Sequence, residues 1–438
     1  MNTVMLPLRP LLLALLVGMF VSCSGAGKTD RLVPAVTKTE TCQTDAGNSY
    51  ELFVPAHNDS EQLPLLVIVD SHGAGRFALE KFKASAQTYH LILAASNTVK
   101  NGFANFEQAL QTLVDDVRQK YPAGKTLFLT GFSGGARMAL GYAQAHPTDG
   151  LLLCGALAGA DQLRALNCPA MSISGMDDFN FQETAQYLFQ EQSAPANLKI
   201  ELTHASHSWP NADMLRNAVG FLTYSATKNE SASPITLSDY CQYQQNRIDS
   251  LKQVGDYLSA TLIARNMASV AAFDNQKEFA KAYTTMKSSP QYVAQLNKLG
   301  TCLNAEMNLR QTYMDAFQNK DMSWWKKEIE GTDQAITTEK DPFNVDMYRR
   351  IKGFWGIACY SLCKQSVAQH NADVLQKTLA IYQAVEPENA DRMYFSAFLP
   401  YWKNDIQTTQ AALQKAIRAG FTDMKQLQSD FPGISITK

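Results

Sequence analysis

The sequence predicts an α/β domain, with a mostly parallel sheet and helices on both faces, followed by an all-helical region. Three observations carry this. Between about Tyr50 and Tyr224, short β-rich apolar runs alternate with amphipathic helical stretches, the pattern of strands joined by covering helices. One such run passes straight into Gly131-Phe132-Ser133-Gly134-Gly135 and then into a helical stretch, which makes a tight, glycine-built strand-to-helix turn. From about Leu237 onward strand runs stop and helical periodicity takes over.

The 438 residues suffice for about two or three domains. With 45% hydrophobic and 10% aromatic residues the chain can bury enough apolar surface to offset its entropy, which excludes global disorder. Its 39 Lys and Arg face 41 Asp and Glu, so there is no basic stripe of the kind phosphate backbones select, and nucleic acid is not expected as a partner.

At the amino terminus Arg9 precedes an apolar run from Leu11 to Val21, too short to span a bilayer comfortably. Residues 1–22 therefore read as an export signal. The following Phe20-Val21-Ser22-Cys23-Ser24-Gly25 resembles a bacterial lipobox, with Phe20 where leucine is usual. That resemblance implies that Cys23 becomes the lipidated first residue and anchors the chain to a membrane of the cell envelope, facing the periplasm or the exterior; an ordinary secretory signal with an incidental Cys23 is the alternative. Residues 23–44 read as a tether. Beyond Cys23 an odd seven cysteines remain, so a monomer keeps a free thiol; Cys154 and Cys168 flank one loop and could pair, and Cys359 and Cys363 sit at i and i+4. No Cys/His cluster has zinc spacing, and no metal is expected.

Residues 45–227 form the α/β module. Leu65-Leu66-Val67-Ile68-Val69 is a continuous apolar run typical of a strand buried on both faces, and it leads into Ser71-His72-Gly73-Ala74-Gly75. Leu91–Ala95 is the next strand, Leu110, Leu113, Val114 and Val117 give a helical face, and Thr126–Thr130 is the strand before the glycine turn. The order strand, G-x-S-x-G, helix is the context of a nucleophile elbow, which makes Ser133 the candidate nucleophile. Ala170–Gly175 then ends at Met176-Asp177-Asp178, and Leu198–Thr203 delivers His204-Ala205-Ser206-His207-Ser208-Trp209-Pro210. A serine nucleophile needs one imidazole to take and return its proton and one carboxylate to hold that imidazole in the correct tautomer. By order alone, Asp177 or Asp178 and His204 or His207 qualify.

These residues resemble the α/β-hydrolase superfamily, in particular small secreted esterases of the polyhydroxybutyrate depolymerase and feruloyl esterase type, over about residues 45–225. The resemblance rests on His72-Gly73, the Gly131–Gly135 turn, the Gly175-to-Asp178 spacing and His207-Ser208-Trp209-Pro210. It implies Ser133, Asp178 and His207 as the triad, an oxyanion hole of the Gly134 and Ala74 amides, and a structural His72 that holds its loop by hydrogen bonds. No cofactor is required. The Phe179-Asn180-Phe181-Gln182 stretch after the acid departs from those esterases, so their substrates do not carry across. No lid insertion interrupts the strands, which leaves a fairly open crevice with Phe132, Phe179, Phe181 and Trp209 as walls or as ordinary core.

Lys228–Pro234 lies in a polar linker over residues 228–236, and residues 237–438 form the helical region. Leu413, Ala416, Ile417 and Gly420 share a face, with Gly420 as a C-cap and Thr422 as the next N-cap. Ala380, Tyr382, Ala384, Pro387-Glu388-Asn389 and Tyr394 resemble tetratricopeptide grammar, but no fixed period runs through the region, and an irregular bundle is an equal reading. Trp324, Trp325 and Trp355 suit a binding groove or, more often, helix packing. The expected activity is ester hydrolysis through an acyl-enzyme on a small ester or acylated substrate. A peptidase of the same fold is one alternative; a non-catalytic protein whose helices recruit a protein partner is the other.

Overall fold

In a computed structural model, which describes residues 31–190, 194–226, 235–270 and 275–435, the apolar runs become one eight-stranded sheet. Its strands are β1 (Val36–Cys42), β2 (Asp45–Val54), β3 (Leu63–Val69), β4 (Ile92–Ser96), β5 (Ala123–Phe132), β6 (Gly150–Cys154), β7 (Ala170–Gly175) and β8 (Leu198–Thr203). In space they run β8-β7-β6-β5-β3-β4-β2-β1. All neighbours from β8 to β4 are parallel, whereas β2 lies antiparallel to both β4 and β1.

Alternate residues of β3 feed opposite cores: Leu65, Val67 and Val69 face one side, Leu66 and Ile68 the other. Helices cover each side because a parallel sheet buries both faces. On the first side Leu110, Leu113 and Ala139 bring in α2 (Phe106–Lys120) and α3 (Gly134–Ala145); on the second Leu79, Phe82, Leu215 and Phe221 bring in α1 (Gly75–Tyr89) and α6 (Ala212–Ala226). The short α4 (Ala160–Arg164) and α5 (Phe181–Phe189) follow β6 and β7. The mostly parallel sheet with helices on both faces is thus present, and the parallel strands β3, β5, β7 and β8 all end at one edge.

Two features of the first module correct the sequence reading. Residues 36–42, taken as tether, are β1. This edge strand, Val-Thr-Lys-Thr-Glu-Thr-Cys, buries only Cys42 fully, so it carries no apolar pattern to be read. Cys154 and Cys168 do not pair: Cys154 faces one core and Cys168 the other, on opposite sides of the sheet, and all seven described cysteines are buried thiols.

The helical region comprises α7 (Leu237–Gln253), α8 (Tyr257–Ala268), α9 (Gln276–Lys287), α10 (Pro290–Asn319), α11 (Met322–Thr338), α12 (Pro342–Ala368), α13 (Ala372–Val385), α14 (Ala390–Ser396), α15 (Phe398–Tyr401), α16 (Ile406–Arg418) and α17 (Met424–Asp430). The change of composition near residue 230 is not a change of packing. Tyr240, Ile263, Met267 and Phe279 join the core beneath α6, and Leu258, Leu262, Tyr292 and Leu299 join the core on the other face. Asn266 on α8 also pairs with the backbone N–H and C=O of Ile200, closing part of the free edge of β8. A separate helical core begins near Tyr313, around Trp325 and Trp355, which are wholly buried edge to face at 5.9 Å; these indoles are packing, not groove, and Trp324 is half-buried beside them. Helix lengths from 4 to 30 residues follow no equal-pair repeat, as an irregular bundle has it. Gly420, at φ 108°, closes α16 in a Schellman pattern, its N–H on Ile417 O and that of Phe421 on Ala416 O. The next helix is capped by the Asp423 side chain rather than by Thr422. Among the described residues no helix is long and apolar enough to cross a membrane.

Candidate active site

Ser133 stands at φ 55°, ψ −120°, between the end of β5 and the start of α3. Such a backbone is strained for a residue with a side chain, by about 1–3 kcal/mol, and is held here by close packing. A Cβ on Gly131 would run into the Gly135 and Ala136 backbone, and one on Gly135 into the Val69 carbonyl of β3. The glycines of the turn are therefore required by contact, and the turn lifts the Ser133 hydroxyl clear of the sheet edge.

The structure brings Ser133, His207 and Asp178 together. His207 Nε2 lies 2.9 Å from Ser133 Oγ, and His207 Nδ1 lies 2.8 Å from Asp178 Oδ2. The Asp178 carboxylate is buried and accepts the Asn180 N–H on Oδ1 at 2.8 Å, so both of its oxygens are engaged. The Phe132 and Phe179 rings both pack against the imidazole, tilted, with centroids at 4.6 and 4.3 Å, and its side chain is 21% exposed. Phe132 and Phe179 are thus walls of the site. Phe181 is not: it is core, with the Arg350 guanidinium over its ring.

Gly134 heads α3, where the first-turn amides have no intrahelical acceptor. Its amide is free to serve as an oxyanion donor. The second expected donor is less exposed to the crevice, because the Ala74 N–H turns towards Asp70 Oδ1 at 3.4 Å. The Asn101 carboxamide packs directly on Gly134, and the Asn101 N–H ties its own loop to Ser71 O at 2.9 Å. Asn101 is a polar neighbour of the elbow that no motif marks.

Asp70, at the end of β3, is the organiser that the sequence does not reveal. Its buried carboxylate accepts the Trp209 indole N–H at 2.8 Å and the His72 N–H at 2.8 Å, and so joins the His72–Gly75 loop to the segment that carries His207. Burial opposes its charge, but the facing His72 imidazole and these hydrogen bonds outweigh burial and hold the carboxyl below its usual range. His72 bonds within its loop through both backbone and ring: its N–H donates to Asp70, and its 71% exposed side chain lies with Nδ1 3.1 Å from Ser71 Oγ and 3.7 Å from Asp70 Oδ1. The ring's pKa is raised, mainly by Asp70 and also by Asp391 of α14. The same loop lines a 780 Å³ surface depression with Phe77, Lys81, Asn97 and Asn211, which none of the three triad side chains reaches.

Asp177 and His204 belong to a different constellation. Asp177 is paired with Arg349 of α12 at 3.0 Å, and burial together with the neighbouring Asp346 carboxylate pushes it up to about 6. His204 lies 3.8 Å from Asp256 and 3.6 Å from Asp346, which push it up to about 10. Because the folded value lies above the ordinary 6.5, these pairs stabilise the fold fully below that pH and lose their contribution as pH rises towards 10. The side chain is 55% exposed, so solvent screening limits the gain to about 0.5–1 kcal/mol. A His204→Gln variant is therefore expected to melt below the wild type at pH 6 and together with it above pH 10, measured by thermal denaturation across pH.

The crevice is also less open than its lack of a lid insertion implies. The helical region lies against the edge of the sheet where the site is: Lys100 pairs with Asp423 before α17, Arg310 of α10 bonds the Phe179 carbonyl, and Gly353 of α12 packs against the Phe179 ring. Among the described residues no group of three or more His, Cys, Asp or Glu side chains is placed to hold a metal ion. Cys23 lies outside the described residues.

No protein-family model matches the sequence, and no curated protein does. Solved structures similar to it include the esterase domain of a Rhodothermus marinus protein (14% identity, 44% of this chain and 97% of that one, TM-score 0.34). An esterase of Pyrococcus furiosus aligns at 13% identity over 43% of this chain and 91% of its own, with a TM-score of 0.34. An acylaminoacyl peptidase of Pyrococcus horikoshii aligns at 9% over 43% of this chain and 40% of its own, with a TM-score of 0.32.

Proposed function

We propose that this chain is an exported serine hydrolase that cleaves carboxylic esters through an acyl-enzyme. The observation that supports this most is the unbroken hydrogen-bonded line from Ser133 Oγ through His207 to Asp178, starting at a strained elbow. His207 Nε2 accepts the serine proton as Oγ attacks the ester carbonyl, and Asp178 steadies the imidazolium that forms. The developing oxyanion lies by the Gly134 amide, with the Ala74 amide as the second donor once it leaves Asp70. His207 returns its proton to the leaving alkoxide. Water, deprotonated by the same nitrogen, then releases the acid and restores Ser133.

The ester reading is favoured over a peptidase by the likeness of the His207-Ser208-Trp209-Pro210 segment to secreted esterases, and over a non-catalytic scaffold by the retained triad. A protein partner for the helical region stays secondary. Lipidation at Cys23 with anchorage in the cell envelope is part of the proposal, on the lipobox likeness.

The test is labelling of protein extracted from membranes with a fluorophosphonate, followed by peptide and intact mass. The expected result is one adduct, on Ser133, on a chain that begins at a diacylated Cys23, with turnover of acetyl, feruloyl or short-chain esters and none of peptide anilides. A well-folded protein that takes no label is not a serine hydrolase.

A further inference from the structure

Two arginines of the helical region grip the loop that carries the acid. Arg350 of α12 donates from Nη1 to the carbonyl of Met176, two residues before Asp178, and Arg310 of α10 donates from Nη2 to the carbonyl of Phe179, one residue after it, at 2.8 Å. Both are anchored by one carboxylate. Glu306 of α10 takes Arg350 Nε on Oε2 at 2.6 Å and Arg310 Nη2 on Oε1 at 2.7 Å. The Glu306 and Arg350 side chains are wholly buried; Gln182 Nε2 also donates to Glu306 Oε1 at 3.3 Å, and Arg350 lies over Phe181, Arg310 over Phe354. An ion pair so far from water costs more desolvation than a packed hydrocarbon, so stability alone does not account for it. Arg350 Nη1 and Arg310 Nη2 instead donate to two backbone carbonyls, one on each side of Asp178, while among the described residues Arg350 Nη2 and Arg310 Nε find no hydrogen-bond partner.

We infer that Arg310 and Arg350 are positioning residues for the reaction: through the Met176 and Phe179 carbonyls, the helical region fixes the loop that holds Asp178 against His207 and Phe179 over its ring. This rests on the hydrolase reading above. It also assigns the helical region a task that its distance in sequence conceals, since an α/β module without it lacks both donors.

The two arginines differ in a way that makes the idea testable. Arg310 serves Glu306 and Phe179 from one nitrogen, a task that the three hydrogens of a lysine ammonium can repeat. Arg350 serves Glu306 from Nε and Met176 from Nη1, two points of a planar fork that a point charge does not span. In the full-length protein, Arg310→Met is expected to lower kcat per fluorophosphonate-titrated serine by about tenfold to a hundredfold with KM little changed, because a misplacement of about 1 Å at the reacting groups has that effect. Arg310→Lys restores most of it, and Arg350→Lys, which keeps the charge beside Glu306, does not.

A merely structural pair lowers the melting temperature of these variants and leaves kcat per titrated serine at the wild-type value; that result overturns the inference. If Arg310→Met fails to fold, the contrast between the two lysine variants decides, and equal, wild-type-like rates in both refute it. Wild-type protein that neither labels nor turns over ester fails at the hydrolase reading, and the inference falls with it.

Discussion

Ser133→Ala is expected to abolish covalent labelling and to lower ester turnover by about 10⁴- to 10⁶-fold, while the protein melts at or slightly above the wild-type temperature. The size of the loss follows from the unit to which Ser133 belongs: nucleophile and base act together, and removing either forfeits nearly the whole acyl-enzyme route. What survives is His207 activating water beside the Gly134 amide. The fold survives because Ser133 Oγ makes its hydrogen bond to His207 and the strain of the turn is held by other contacts, in particular the approach of Gly131 to Gly135 and of Gly135 to Val69. Alanine has the same Cβ and occupies the same φ of 55° at the same cost, and relieving a polar group poised for chemistry commonly adds stability. Comparing kcat and melting temperature of the two proteins checks both halves. Undiminished turnover in the variant removes Ser133 from the mechanism.

What the sequence discloses follows from how local each constraint is. The continuous apolar run Leu65–Val69 is legible because both faces of β3 are buried, and Gly131–Gly135 is legible because one turn imposes glycine at fixed offsets. The polar β1 is not, since an edge strand open to solvent has no periodicity to impose. Asp70 is silent for another reason: its partners His72 and Trp209 lie 2 and 139 residues away, and only the second contact gives it meaning. Arg310 and Arg350 look like the solvated face of amphipathic helices, and the buried carboxylate Glu306 that fixes them is 44 residues from Arg350. Strand spacing shows no lid insertion and suggests an open crevice, yet the site is covered from elsewhere, by helices that follow the whole sheet.

The adjacent pair Asp177 and Asp178 offers the sharpest separation of role by environment. Asp178→Asn is expected to reduce kcat by about 10³- to 10⁴-fold with little change in stability, the scale on which a wrongly held histidine tautomer acts. The direction is set by Asn180. Its N–H requires an acceptor on the Oδ1 side of residue 178, so an asparagine there keeps its carbonyl towards Asn180 and turns its NH2 group to His207 Nδ1. The imidazole must then accept at Nδ1 and carry its proton on Nε2, pointing at Ser133, where it is unable to take the serine proton. Asp177→Asn, by contrast, changes the contact with Arg349 and relieves the repulsion with Asp346, neither of which touches His207; kcat is expected to stay within about threefold of wild type, as for residues that do not share partners with the reacting groups. Steady-state rates on one ester for the two variants decide the assignment. A large loss in Asp177→Asn with an active Asp178→Asn would move the acid to Asp177 and require the loop from Met176 to Phe179 to rearrange before reaction, which the grip of Arg310 and Arg350 opposes.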